Sequence, residues 1–503
     1  MKKIALLALS TVLSAGTAMA QDINQKDSKW FTDAQAKIQE MIARQPNTGR
    51  ARNVILFTAD GNGIGTNYAI RLFAGQQAGG LGDDHVLPYE AFPNLALVKT
   101  YTTNGQTPDS APTASAMNTG VKTKNTMINV AETVNVGDCN AVAGNELTTF
   151  AELVSAAGKS VGVISTARIT HATPAGVYAK TANRDWEDNT GLPEGCTAQK
   201  DIAAQLVDAM KAGTVDLAFG GGRAHFLPEQ ITDEEGKKGK RTDERNLVEE
   251  IKGLGGQYVF DDKTFAELST DGTNAPILGL FEGSHMKYEQ DRTGEPSLAE
   301  MTEKAIKALK NNENGFYLNI EAGRVDHANH DGNLHRTLVD GVAFAEAIAK
   351  ADELTDDADT LIIVTADHEH AIAFNGYCGR GSPVTGLCYE IDDNGSKHVD
   401  TPNKGLDGKP YTVVGYLNGA GSILKEQADG SYSGTRGDLT NEEAMDPDYL
   451  QQALVPMLSE THSGEDVSVL AKGPWSHLFD GVIEQNYIFH VMNHAVNAEL
   501  QGN

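Results

Sequence analysis

Short apolar, β-rich runs recur along this chain, and each leads into a polar cluster: NVILFTA before Asp60, VGVIST before Ala167, VDLAFGG before Gly222, FYLNI before Glu321 and TLIIVTA before Asp367. Between them lie stretches with apolar residues at helical spacing, among them LTTFAELVSAAG, QKDIAAQLVDAMKAG, SLAEMTEKAIKALKNN and RTLVDGVAFAEAIAKADEL. Near-continuous apolar strands alternating with helices predict an α/β fold, a mostly parallel central sheet covered by helices on both faces. Ligands of such sheets collect beyond the carboxyl ends of the strands, where these acidic residues fall. Upstream, WFTDAQAKIQEMIARQ predicts an amphipathic helix within 21–45, capped at Thr32 or Asp33. Two regions break the alternation: 223–295 is charged and Gly-rich, and 376–455 holds many Gly, Asp and Asn. Both read as insertions in a single domain spanning 21–503.

The N-terminus adds a compartment. Residues 1–20 carry Lys2 and Lys3, an apolar run from Ile4 to Leu13 and a small-residue A-M-A site before Gln21, the pattern of a cleaved secretory signal. No later stretch offers about 18 uninterrupted apolar residues, so an exported chain without a membrane span, periplasmic or secreted, is expected. Export permits disulfides, and the four cysteines allow three pairings. Closeness in sequence favours Cys378 with Cys388, which leaves Cys139 for Cys196. Lys plus Arg number 41 against 69 Asp plus Glu, and removal of Lys2 and Lys3 takes the net charge from −28 to about −30. Such a surface excludes general nucleic-acid binding and fits an enzyme that tolerates high salt.

Charge of the same sign gathered at strand ends then becomes the central problem. In RVDHANHDGN, Asp326 and His330 are four apart and share one face of a helical turn, as metal-binding pairs do. VTADHEH places Asp367 and His368 just past a strand, and FTADGNGIG presents Asp60 on a tight turn, since G-N-G-I-G-T lacks the last glycine of a dinucleotide fingerprint. Asp60, Glu321, Asp326 and Asp367 would repel one another in one crevice unless cations stood among them. Mixed Asp/His ligation suits zinc and an all-oxygen set suits magnesium. His462, in SETHSGED, is a further ligand candidate. GQTPDSAPTASAMNTG offers the hydroxyls of Thr107, Ser110, Thr113, Ser115 and Thr119, with no G-x-S-x-G elbow and no histidine nearby in sequence to act as base.

Taken in order, DGNG, PDSAPTASAMNTGVKT, THATPAG, EAGRVDHANH, VTADHEHA and ETHSGED resemble the alkaline phosphatases over nearly the whole mature chain. His171 and His327, with FEGSHMKYE and KGPWSHLFDGVIEQNYIFHVM, are similar to the animal and marine-bacterial type; the common enteric type has Asp and Lys at those two places. The resemblance implies that Asp326, His330 and His462 hold one zinc, and that Asp60, Asp367 and His368 hold a second with Ser110 as exchangeable ligand. Asp60 would also reach a magnesium completed by Thr173 and Glu321, with His171 orienting a water on that ion. Arg184 would clamp two phosphate oxygens, Asp109 would restrain Arg184, and His327 would line the phosphate pocket. Glu282 and Glu295 match acids of animal relatives and would belong to a fourth, calcium site.

The implied activity is hydrolysis of small phosphate monoesters at alkaline pH, with broad specificity, through a phosphoserine on Ser110, in a homodimer that also binds inorganic phosphate. Two alternatives use the same residues: a phosphodiesterase or sulfatase-like relative on this metal frame, and an exported phosphate- or metal-binding protein without catalysis.

Overall fold

The computed structural model describes residues 23–271, 275–393 and 398–497, so the expected signal at 1–20 lies outside the described residues. The chain divides after Pro46. In the first unit, helix α1 (Lys29–Ala43) buries none of its residues and takes Ser28, not Thr32 or Asp33, as N-cap. Thr32 is already inside the helix, its hydroxyl bonded back to the carbonyls of Ser28 (3.3 Å) and Lys29 (3.1 Å), while Asp33 pairs with Lys29 across the first turn.

The second unit, Asn47–Asn503, contains the alternation. Strands β1 (Asn53–Ala59), β2 (Asn94–Lys99), β3 (Ser160–Arg168), β4 (Leu217–Gly221), β5 (Gln257–Val259), β6 (Ile277–Leu280), β7 (Phe316–Ala322), β8 (Thr360–Ala366), β9 (Val467–Lys472) and β10 (Val482–Glu484) form one sheet. Their order is β10-β2-β9-β8-β1-β7-β3-β4-β6-β5. All neighbours pair in parallel except β9, which runs against both β2 and β8. Continuous apolar strands are buried on both sides here, as the pattern requires. On β1, Val54 and Leu56 join one apolar cluster while Ile55 and Phe57 join the other, and β8 divides Leu361 and Ile363 from Ile362 and Val364 in the same way. Helices Phe150–Ala156, Ile202–Lys211, Leu247–Gly253 and Tyr487–Asn497 cover the first face. Helices α2 (Ile64–Gln77), Leu298–Leu309 and Leu334–Leu354 cover the second.

Register decides where chemistry falls. Ala59 lies opposite both Ala322 and Ala366, so Asp60 and Asp367 leave adjacent strands at one level. Glu321 differs from expectation: it is inside β7, opposite Thr58, with its side chain buried. The 223–295 stretch also differs from a plain insertion, since β5 and β6 extend the main sheet at one edge; runs as short as QYV and ILGL carry little periodicity. The 376–455 stretch stays off that sheet, building a small one from Val414–Gly419 and Ala453–Pro456 with the preceding strand Ile372–Phe374, plus two strand pairs. Both expected disulfides, Cys139–Cys196 and Cys378–Cys388, are formed. Among the described residues no helix is long and apolar enough to cross a membrane.

Candidate active site

The turn after β1 needs glycine for two reasons. Gly61 has φ +68°, and a Cβ there would stand 2.3 Å from His370 Nε2. Its N–H and that of His368 both donate to Asp367 Oδ1 at 3.0 Å, which joins the ends of β1 and β8. Asp326 and His330 lie one turn apart on helix Arg324–His330, with Asp326 Oδ1 3.4 Å from His330 Nε2. His462 arrives on a short strand paired with Glu369–His370, directly opposite His370. Ser110 opens helix α3 (Ser110–Thr119), and its Oγ lies 3.3 Å from Asp60 Oδ1 and 3.4 Å from His368 Nε2. The other hydroxyls of that helix bond backbone carbonyls, Thr113, Ser115 and Thr119 those of Ser110, Ala111 and Ser115, and Thr113 Oγ1 also lies 3.4 Å from Asp367 Oδ2.

Three histidines share one arrangement. The Nδ1 atoms of His330, His368 and His462 face the carbonyls of Glu460 (2.6 Å), Glu369 (3.2 Å) and Pro108 (2.9 Å). In the neutral ring, donation there makes Nε2 the acceptor, the tautomer of a metal-ligating imidazole. His330 Nε2 and His462 Nε2 nevertheless face each other at 3.0 Å, with Asp326 Oδ1 3.3 Å from the latter. Lone pairs so opposed call for a cation. A second set, Asp60, Asp367 and His368, has ligand atoms within 4.8 Å of one another, and so does a third, Asp60, His171 and Glu321. In that third set Asp60 Oδ2, Glu321 Oε1 and His171 Nδ1 are buried without a hydrogen bond, as is Thr173 Oγ1. Buried polar atoms are rarely left so, and this oxygen-rich group fits a hard cation.

Protons reveal the same deficit. Burial and the Asp60 carboxylate push Asp367 up to about 7, and they hold Glu321 well above the carboxylate range. Burial opposes charging of His368, yet Asp367 and Asp60 raise it to about 9. Without cations the crevice must retain protons to limit repulsion among its acids.

Next to Ser110 in sequence, Asp109 accepts at Oδ1 from Arg184 Nη1 at 3.0 Å, and Arg184 Nη2 lies 2.9 Å from His171 Nε2. Asp109 is also the N-cap of α3, accepting from Ala111 N (2.9 Å), and it accepts from Thr126 N (2.5 Å). His327 has its ring 5.4 Å from that of His171, and its Nδ1 lies 2.9 Å from Arg324 Nη1. Asp60 and His368 thus stand beside Ser110, and Asp367, Asp326, His462 and Glu321 share ligand sets with one or other of them.

Two residues were missed from sequence. His370 Nε2 lies 2.8 Å from Asp326 Oδ1, and its Nδ1 lies 2.5 Å from Glu460 Oε2; both side chains are buried. Their signal was positional: His370 is two residues past one ligand, and Glu460 is two before another, just ahead of the strand paired with that of His370. The acids named for a fourth site have other partners. Glu282 is paired with Lys237 and Lys287, both at 3.1 Å, so ammonium groups already supply its positive charge. Among the described residues, no ligating group of three or more includes Glu282 or Glu295.

A covered parallel sheet with carboxylate and histidine sets around one serine at its strand ends defines a metal-dependent α/β hydrolase. The alkaline phosphatase family model matches residues 51–498. Alkaline phosphatase of Gadus morhua is 39% identical over 94% of this chain and 97% of that protein. The tissue-nonspecific isozyme of Homo sapiens is 38% identical over 96% and 92%. Among solved structures, alkaline phosphatase from Thermus thermophilus superposes with TM-score 0.62 at 23% identity, covering 92% of this chain and 95% of that one. The enzyme from the Antarctic bacterium TAB5 does so with TM-score 0.60 at 22% identity, over 90% and 99%. The chain belongs to the alkaline phosphatase family.

Proposed function

We propose that this chain is an exported phosphomonoesterase of broad specificity and alkaline pH optimum that forms a phosphoserine at Ser110. The observation that carries the reading is the position of Ser110 Oγ, 3.3 Å from Asp60 and 3.4 Å from His368, with the preceding residue, Asp109, bonded to Arg184. Asp326, His330 and His462 would hold one zinc, Asp60, Asp367 and His368 a second, and Asp60, Thr173 and Glu321 a magnesium, with His171 beside it. Bound there, these cations supply the positive charge that favours an ionised serine and stabilises the transferring phosphoryl group.

The chain's own residues do the rest. Ser110 Oγ attacks phosphorus, the bond to the substrate alcohol breaks, and water later cleaves the P–Oγ bond to release inorganic phosphate and restore the serine. Arg184 presents a planar fork to two phosphoryl oxygens, a geometry lysine does not reproduce. Asp109 and His171 hold that fork in place, and the start of α3 directs its amide dipoles at the same anion. His368 turns one nitrogen toward Ser110, Asp60 and Asp367 alike, the posture of a ligand more than of a base dedicated to Ser110.

Turnover of p-nitrophenyl phosphate should exceed that of bis-p-nitrophenyl phosphate by the metal-loaded enzyme; faster diester hydrolysis would favour the diesterase alternative. Metal-loaded protein without phosphatase activity would favour the binding protein. Export is supported by the two disulfides and is checked by an N-terminus at Gln21 in the exported protein. The homodimer draws on Trp30, Ile38, Met41 and Ile42 of α1, all exposed, and is checked by light scattering. Salt tolerance is checked by activity in added NaCl.

A further inference from the structure

Arg184 and His171 meet at 2.9 Å but come from separate segments. Arg184 lies between Thr181 and Ile202, a stretch without helix or strand, whereas His171 follows the end of β3 after the two-residue turn Ile169–Thr170. A single carboxylate ties the two. Glu187, three residues past Arg184, accepts from Arg168 Nε at 2.8 and 3.1 Å, from Arg168 Nη2 at 2.6 Å, and from Thr170 Oγ1 at 2.6 Å. Arg168 is the last residue of β3, Thr170 directly precedes His171, and His171 N bonds the Arg168 carbonyl at 2.8 Å. A fork on a carboxylate, mostly out of water, is among the stiffest side-chain links available. The rest of the stretch is anchored elsewhere: Trp186 and Glu187 offer their carbonyls to Ile202 and Ala203, and Asp188 Oδ2 lies 2.7 Å from His225 Nδ1.

We propose that Glu187 is a positioning residue for the phosphate clamp: its link to Arg168 and Thr170 sets how Arg184 meets His171 and the substrate's phosphoryl oxygens. This rests on Arg184 binding phosphate, as proposed above. The test measures inhibition by inorganic phosphate, with kcat and KM, for metal-loaded enzyme carrying Glu187→Ala, Arg184→Ala or both, at verified metal content. Glu187→Ala should raise the phosphate inhibition constant about tenfold, the scale of a small misplacement of a binding group. Added to Arg184→Ala, it should change that constant by less than about twofold, because its effect passes through the guanidinium. Effects that multiply would overturn the proposal, as would an unchanged inhibition constant in Glu187→Ala. If Arg184→Ala alone leaves phosphate inhibition intact, the clamp reading itself fails. Should Glu187→Ala fail to fold, Glu187→Gln keeps the size and the Thr170 bond, and must show the same dependence on Arg184.

Discussion

Gly61→Ala strikes the candidate metal centre without removing any ligand. At φ +68°, alanine carries strain of about 1–3 kcal/mol. Its Cβ would stand 2.3 Å from His370 Nε2 and 3.3 Å from Asp326 Cα, so the imidazole must retreat by about 1 Å to reach ordinary contact at 3.4 Å. That ring is held on both nitrogens, by Asp326 at 2.8 Å and Glu460 at 2.5 Å, so it cannot turn aside without losing a charge-assisted bond worth about 1.5–3 kcal/mol. Together these give about 2.5–6 kcal/mol, shared between stability and the geometry of Asp326. The expected outcome is a large fall in the urea midpoint and a loss of about 10–100-fold in metal affinity, the usual cost of disturbing a ligand's support. Urea unfolding and zinc retained after dialysis against a chelator measure the two parts. Wild-type stability together with wild-type zinc retention would refute the reasoning.

Arg184→Lys keeps the charge but loses the fork, and should raise the phosphate inhibition constant by about 10-fold or more; an unchanged constant counts against bidentate binding. Loading metal into the stripped protein must expel the protons held by the acid and histidine sets, so zinc addition near neutral pH should acidify a weakly buffered solution. No proton release would mean the sites are not those described. Asp340, buried on helix Leu334–Leu354, is pushed up by burial from 3.8 to about 8. Its folded form holds a proton the unfolded chain has lost, so stability falls as pH rises from about 4 to about 8 and levels off above that. Asp340→Asn should therefore raise the melting temperature by several degrees at about pH 9 and change it little at about pH 4; equal effects at both would exclude this assignment.

Strand ends were the readable part of this chain. The apolar runs before Asp60 and Asp367 marked strands buried on both faces, since NVILFTA and TLIIVTA are nearly continuous in apolar residues. Repulsion among four acids then demanded cations before any contact was known. Less readable was whatever depended on a partner distant in sequence. His370 and Glu460 have meaning only through the strand pair that sets His462 opposite His370. Glu321 was placed one step too far because a buried acid inside β7 gives no break in pattern apart from its own charge. The lysines on Glu282 come from residues 45 before and five after it, a pairing that spacing does not disclose.

In the proposed mechanism, Ser110 carries the phosphoryl group during turnover. Metal-loaded enzyme mixed with a phosphate monoester, quenched in acid and digested, should yield phosphate on the peptide GQTPDSAPTASAMNTG, located at Ser110 by fragmentation in the mass spectrometer. Ser110→Ala should keep its zinc, lose most of its activity and yield no such peptide. Phosphate found on another residue, or full turnover by Ser110→Ala, would contradict the account.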